Sequence, residues 1–335
     1  MSTRSERIPD VQRTAREARQ AAQRIRGFIV VTPLLRSTEF STALGANIFF
    51  KLENRQTTGS FKLRGATNRL LTLSDKQRSK GCVAASSGNH GAAVACAAQK
   101  LGVSSVIFVP EQTSSAKVKA IRSFGGEVRF FGTDGLDTEQ HAREFAEKNG
   151  LSYLSPYNDS AVIAGQGSCG VEIVEQLPGV DVVFIAVGGG GLVAGTGSVL
   201  KEHNPDIRVV GCQPAASPVM ARSIDAGHII EMPSEATLSD GTAGGIEMGA
   251  ITFPLNQSVV DEFVLVDEEQ IASAMRRYMD SGGDIIEGAA GVAIAAMLEL
   301  KETVGGQNVA VIICGGNISN EQLEHVRSGG SARAS

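Results

Sequence analysis

Val182-Val183-Phe184-Ile185-Ala186-Val187-Gly188-Gly189-Gly190-Gly191-Leu192 is the stretch that decides the fold of this 335-residue chain. The six apolar residues at its start are rich in β-branched side chains and too few for a helix, which predicts a strand buried on both faces. Four glycines follow, and a helical pattern begins near Leu192. Strand, glycine turn and helix in that order open a βαβ unit.

The same alternation runs outward in both directions. It predicts strands at 48–52, 83–85, 105–109, 127–131, 182–187, 209–213, 262–266 and 309–314. Helices are expected at 90–101, 116–124, 137–149, 167–176, 192–203, 267–281 and 288–303. The fold class is therefore α/β, built on open, twisted, mostly parallel sheets flanked by helices. Such sheets bind ligands where turns leave the carboxyl ends of the strands. Two further strand ends carry unusual turns, Ser86-Ser87-Gly88-Asn89-His90-Gly91 and Cys314-Gly315-Gly316-Asn317. Turns so far apart in sequence meet only if the chain folds back around one cleft. This predicts a small domain, 82–157, inserted in a large one made of 1–81 and 158–327, with a Gly/Ser-rich flexible tail at 328–335.

Composition narrows the function. Apolar residues make up 42% and charged residues 20%, a globular balance, and the formal net charge is -5. With no basic stripe, nucleic acid is not an expected partner. No apolar run is long enough to span a bilayer. The Arg-rich N-terminus has no apolar segment of a secretory signal, and its interleaved acids predict a solvated helix over roughly 10–27. The five cysteines are scattered and form no C-x-x-C pair, which fits reduced thiols in a cytoplasmic protein. The five histidines show no metal-ligand spacing.

A glycine run at the start of a helix points backbone N–H groups at a ligand, and the helix end adds partial positive charge, so phosphate is the natural guest. A dinucleotide site expects an acidic residue closing the next strand, but that strand ends Gly211-Cys212-Gln213-Pro214. A P-loop needs a Gly-Lys pair, and the chain has none. A compact phosphate monoester remains. In Ser60-Phe61-Lys62-Leu63-Arg64-Gly65-Ala66, Lys62 follows a small-residue turn within an apolar neighbourhood. Burial would lower its amine pKa and make it the nucleophile that Schiff-base chemistry requires. Its residue chemistry alone leaves an ordinary surface lysine equally open.

Read together, Pro33-Leu34, Lys51-Leu52-Glu53, Thr58-Gly59 followed by the Lys62 segment, the Ser86 to Gly91 turn, Ala164-Gly165-Gln166-Gly167, the glycine run, Glu287-Gly288-Ala289-Ala290-Gly291 and the Cys314 turn form an ordered set. That set resembles the serine/threonine dehydratase and serine racemase family, pyridoxal 5′-phosphate (PLP) enzymes of fold type II. The resemblance runs from about Thr32 to Ser319. It implies Lys62 as the Schiff-base lysine and α-proton base, with Phe61 packed on the cofactor ring. Asn89 would bond its phenolic oxygen, and Gly188, Gly189, Gly190, Gly191 and Leu192 its phosphate. Glu287 would lie beside the cofactor, and Cys314 would face the pyridine nitrogen. Ser86, Ser87, Gly88, Asn89 and His90 would clamp the substrate carboxylate. A neutral residue at Cys314 leaves the ring unprotonated, which favours prompt β-elimination over transamination.

The implied reaction is dehydration and deamination of a β-hydroxy amino acid, L-threonine or L-serine first, to a 2-oxo acid and ammonia. A bulkier substrate, phenylserine or a hydroxyectoine breakdown product, is an alternative. Ser87 stands where the racemases place a serine, so amino-acid racemisation is another. A β-replacement enzyme is disfavoured by His90 in the asparagine loop, and a non-catalytic PLP or amino-acid binding protein by the retention of Lys62 and the glycine run. Relatives activated by divalent metal have a carboxylate at Gln213 and another near Val219; both are missing, so no such metal site is expected. No regulatory domain is expected after the Cys314 turn, and the family implies a homodimer.

Overall fold

The computed structural model describes residues 4–329. The deciding stretch forms β7 (Val182–Ala186), buried at every position. It lies inside a six-stranded sheet with β1 (Leu34–Arg36), β2 (Asn47–Leu52), β8 (Arg208–Pro214), β9 (Glu262–Val266) and β10 (Asn308–Ile313), in the order β1-β2-β10-β7-β8-β9. Every pairing is parallel except β1 with β2. A second, four-stranded sheet, all parallel, has the order β5-β4-β3-β6. Its members are β3 (Cys82–Ala85), β4 (Ser105–Val109), β5 (Glu127–Phe130) and β6 (Ser152–Tyr153). All four fall within one continuous stretch, while the larger sheet draws strands from both sides of it. The fold is α/β with two mostly parallel sheets, the smaller inserted in the larger.

The helices, in chain order, are α1 (Arg4–Ile25), α2 (Thr38–Leu44), α3 (Lys62–Thr72), α4 (Asp75–Lys80), α5 (Asn89–Leu101), α6 (Ser115–Ser123), α7 (Gly135–Asn149), α8 (Ser160–Gln176), α9 (Gly191–His203), α10 (Val219–Ala226), α11 (Thr252–Val259), α12 (Glu268–Asp280), α13 (Gly288–Glu299) and α14 (Asn320–Ser328). The predicted strands and long helices all appear, and apart from the start of α8 their ends lie within a few residues of those expected. Strands β1 and β6 were not expected, because two or three residues are too few to show an alternating pattern. The expected tail lies outside the described residues beyond Gly329, which caps α14.

Two expectations need correction. Helix α1 is not a solvated helix: Ala15, Ala18, Ala21 and Ile25 are fully buried, and α1 packs on α8 and α9. Its charges occupy one face, and small residues three or four apart form a second face that charge pattern alone does not show. Helix α8 begins at Ser160, not Gly167, with Asp159 accepting from the N–H groups of Ala161 and Val162. Its glycines permit close packing. A Cβ on Gly165 would lie 2.6 Å from the Arg64 carbonyl oxygen, and one on Gly195 of α9 2.3 Å from that of Ile163. Helix α8 therefore fixes α3 and α9 at backbone contact, and with them Lys62 and the glycine turn.

Candidate active site

Strand β10 returns beside β2, so the turn after Ile313 meets the segment that leads into α3. Ser60 bridges Gly315, the Gly316 N–H donates to the Gly59 carbonyl at 2.9 Å, and the Phe61 N–H donates to that of Cys314 at 3.0 Å. This stitching sets the first residue of α3, Lys62. Its Nζ donates to the Pro156 carbonyl at 3.1 Å and lies 5.2 Å from the Phe61 ring centroid. Lys62 as a whole is only half-buried, but its amine lies deep. Burial lowers the pKa to about 8, against an opposing pull from Cys314 and Glu287. An amine near that value is a usable base at neutral pH.

Glu287 ends the loop before α13 and is 6% exposed. Asn89 Nδ2, at the start of α5, donates to its two carboxylate oxygens at 3.0 and 2.9 Å, and the Asn317 N–H donates at 3.2 Å. Burial outweighs these bonds and pushes the Glu287 pKa up to about 7, with Asp240 raising it further. The Asn317 amide donates to Asn89 Oδ1 at 2.6 Å and to the Thr58 carbonyl at 2.8 Å. Each amide orientation in this chain is therefore fixed by its neighbour. Cys314 is 2% exposed, and burial raises its thiol pKa well above the usual range, so it stays neutral.

Two helix N-termini frame this cluster without side-chain caps. Helix α9 starts after Gly190, whose φ of +82° calls for glycine, and α5 starts after Gly88. Close approach excludes side chains from the first turn: a Cβ on Gly189 would lie 2.3 Å from the Tyr157 ring, and one on Gly188 3.0 Å from Thr242 Cα. The Tyr157 hydroxyl accepts from the Glu247 N–H at 2.9 Å. So 155–158 and 240–247 both border the turn. Gln213 is 1% exposed and ties the end of β7 to the start of α10. Its Nε2 donates to the Val187 carbonyl at 3.0 Å, and its Oε1 accepts from the Ala221 N–H at 2.8 Å.

Lys62, Phe61, Asn89, Glu287 and Cys314 thus converge, and Gly188, Gly189, Gly190, Gly191 and Leu192 lie at the adjacent helix end. Ser86 accepts from the Gly88 N–H at 3.2 Å and shapes the loop that carries Ser87. His90 differs. Its ring is buried, with Nε2 2.8 Å from the Leu154 carbonyl, and burial drops its pKa to about 3. The imidazole is neutral and anchors the end of β6, so only the backbone of His90 remains in the loop. Asn317 and the Pro156 carbonyl had no assigned role in the sequence; Asn317 stands in a quoted turn, and only chain folding reveals its partners.

Two residues beyond Lys62, Arg64 enters a different cluster. Its guanidinium bonds Glu53 at 2.7 and 2.8 Å and Glu172 at 2.7 Å through each of two nitrogens. Lys51 Nζ reaches Glu172 and the Thr32 carbonyl, both at 2.6 Å. Lys51, Glu53 and Arg64 are all 0% exposed.

A model of pyridoxal-phosphate dependent enzymes matches residues 25–315. L-threonine ammonia-lyase of Thermotoga maritima is 38% identical over 96% of this chain and 80% of its own length. The catabolic L-threonine dehydratase of Staphylococcus aureus is 38% identical over 92% and 90%. Among solved structures, the processed threonine deaminase isoform 2 of Solanum lycopersicum superposes with a TM-score of 0.91 at 33% identity, covering 97% of this chain and 94% of that one. Maize serine racemase gives 0.88 at 32%, covering 93% and 96%. A buried amine near pKa 8, an uncapped glycine turn and a match over most of the chain agree: the protein belongs to the PLP-dependent enzymes of fold type II, in the serine/threonine dehydratase and serine racemase family.

Proposed function

We propose that the protein is an ammonia-lyase that eliminates the β-hydroxyl of L-threonine or L-serine and releases a 2-oxo acid and ammonia. The observation that carries this reading is the Lys62 amine, desolvated with its pKa lowered to about 8, held on the Pro156 carbonyl at 3.1 Å beside Glu287 and Cys314. The residues fit PLP. The α9 turn offers N–H groups on a backbone that Tyr157 and Asn256 approach too closely for any Cβ at Gly189 or Gly190, and the amine is the group an aldehyde needs.

Bound PLP supplies the sink for carbanion electrons. The chain supplies the rest. Backbone N–H groups from Gly188 to Leu192 would hold the phosphate, and Phe61 would cover the ring. Asn89, oriented by Glu287 and Asn317, would bond the phenolic oxygen. Cys314 would present a neutral group to the pyridine nitrogen. The N–H groups of the Ser86 to His90 loop, at the α5 N-terminus, would bind the substrate carboxylate. Lys62, as a free amine, would take the α-proton; that proton balances the departure of the β-hydroxyl as water, and hydrolysis of the released imine by a second water gives the 2-oxo acid and ammonia. Closure of an 82–157 domain over the substrate would exclude bulk water; a homodimer in the cytoplasm completes the reading.

The test is 2-oxo acid release from PLP-loaded protein over L- and D-β-hydroxy amino acids. Release from L-threonine or L-serine supports the proposal. Turnover confined to a bulky analogue such as phenylserine moves the substrate assignment. D-serine formed from L-serine without 2-oxo acid would replace elimination by racemisation, with Ser87 as the second acid/base.

A further inference from the structure

Asn256, on α11, is 0% exposed, and neither its Oδ1 nor its Nδ2 has a hydrogen-bond partner among the described residues. Leaving both ends of a buried amide unpaired is costly, while an apolar side chain of similar size would carry no such penalty. The amide sits against the glycine turn. A Cβ on Gly190 would fall 1.9 Å from Asn256 Nδ2 and 2.8 Å from Met220 Cε. Gly190 therefore serves two ends: its φ of +82° turns the chain into α9, and its missing side chain lets the amide approach that turn. Thr252, four residues earlier on the same helix face, is also fully buried with its hydroxyl unpaired. Polar groups without partners thus gather behind the turn that offers N–H donors to an anion.

We propose that Asn256 is a side-chain ligand of the PLP phosphate, its Nδ2 donating to a phosphate oxygen alongside the backbone N–H groups of the glycine run. The inference rests on the PLP-enzyme reading and extends its anion site to a residue outside the glycine turn. Nothing in the sequence around Thr252-Phe253-Pro254-Leu255-Asn256 marks it, because the helix reaches the site only through tertiary packing. An amide suits this place. It adds a donor without adding charge, and in the absence of phosphate it is left with no partner, so its contribution belongs to the loaded enzyme alone.

That asymmetry defines the experiment. Apoprotein of wild type and Asn256→Leu is titrated with PLP and, in parallel, with pyridoxal, which lacks the phosphate, following Schiff-base absorbance. Thermal melting of each apoprotein is measured alongside. The expected result is a tenfold or greater rise in the PLP dissociation constant, an unchanged pyridoxal constant, and an apoprotein that melts at the same temperature as wild type or higher. Equal losses for both ligands, no loss for either, or a lower apoprotein melting temperature would each overturn the proposal. If the leucine variant does not fold, the isosteric Asn256→Asp serves. Its carboxylate opposes the phosphate, so PLP affinity falls again while pyridoxal affinity holds, and parallel behaviour of the two ligands overturns the assignment. Wild-type protein that binds neither ligand would instead remove the PLP reading itself, a distinct outcome.

Discussion

Lys62 and Arg64 are two residues apart on one helix, both carry their charge into the interior, and their surroundings do opposite things to them. Around Arg64, two cations and two carboxylates satisfy one another in a closed network. Burial alone would raise the Glu53 pKa, but Arg64 reverses that and holds it low, while Arg64 itself is pushed well above its usual value. Around Lys62 the amine finds a neutral carbonyl, and burial wins: Lys62 falls to about 8 and Glu287 rises to about 7. Interior polarity is common to both. Pairing separates a locked charge from a reactive one.

The comparison breaks most visibly at Lys62. Lys62→Ala should lose roughly 10⁴-fold or more of the elimination rate, since it removes both the proton acceptor and the Schiff-base amine. The absorbance of PLP bound as a Schiff base should vanish with it, while the apoprotein, freed of a buried amine, should be at least as stable as wild type in denaturant melts below pH 8. Retained absorbance would remove Lys62 from its role. Arg64→Met should behave in the opposite sense. Removing one partner from a buried network costs about 3–5 kcal/mol, because Glu53 loses its counter-charge and Glu172 keeps only Lys51. Urea melts should report that loss, and protein that remains folded should still form the Schiff base. A loss of PLP absorbance without a loss of stability would show that the two clusters are not separable.

Glu287 sharpens the contrast through pH. Its pKa rises on folding from 4.5 to about 7, so the native state holds the proton more tightly than the unfolded chain between those values. Apoprotein stability must then fall as pH rises across that window, by roughly 3 kcal/mol at ~1.4 kcal/mol per pKa unit. Lys62 works in the other direction and at higher pH. Its pKa falls from 10.5 to about 8, so its contribution improves as pH rises from about 8 to 10.5. Glu287→Gln should flatten the lower window and, by removing its upward pull on Lys62, extend the upper one to lower pH. If urea melts of that variant kept the full slope between pH 4.5 and 7, the carboxylate would not be its source.

Legibility in the sequence followed the same division. Lys62, Asn89, Glu287 and the glycine run stand in compact local motifs; the glycine run alone points to a phosphate, and for the other three it is the family resemblance that implies the chemistry. The Arg64 network leaves no such mark: Lys51-Leu52-Glu53 and Arg64 are near in sequence, yet Glu172, the partner shared by Lys51 and Arg64, lies 108 residues beyond Arg64. Side-chain pairing at that range leaves no periodic trace. His90 was read as part of a clamp because it follows Asn89, whereas its ring turns into the smaller sheet to meet Leu154. Buried central strands such as β7 were clear for the reason that β1 and β6 were not: length and burial write a pattern, and short edges do not.

The smallest expected effect concerns Cys314, where the site should read neutrality and little else. The thiol is buried beside Glu287 and Lys62, and its pKa lies so high that it carries no charge at any pH the protein meets. Cys314→Ser substitutes another neutral group of similar size, so stability should change by no more than about 1 kcal/mol and the elimination rate by a few-fold. Cys314→Asp is the informative contrast. A second carboxylate beside Glu287 would drive one of the two to bind a proton, as like charges at short range do. An aspartate would also favour a protonated pyridine ring and a longer-lived carbanion, diverting turnover from elimination. Comparing 2-oxo acid release for the two variants therefore asks whether this end of the site requires a thiol or only the absence of charge. A Ser variant as damaged as the Asp variant would show that sulfur itself is needed, and that the reactive cluster depends on residue identity as strictly as the ionic one depends on pairing.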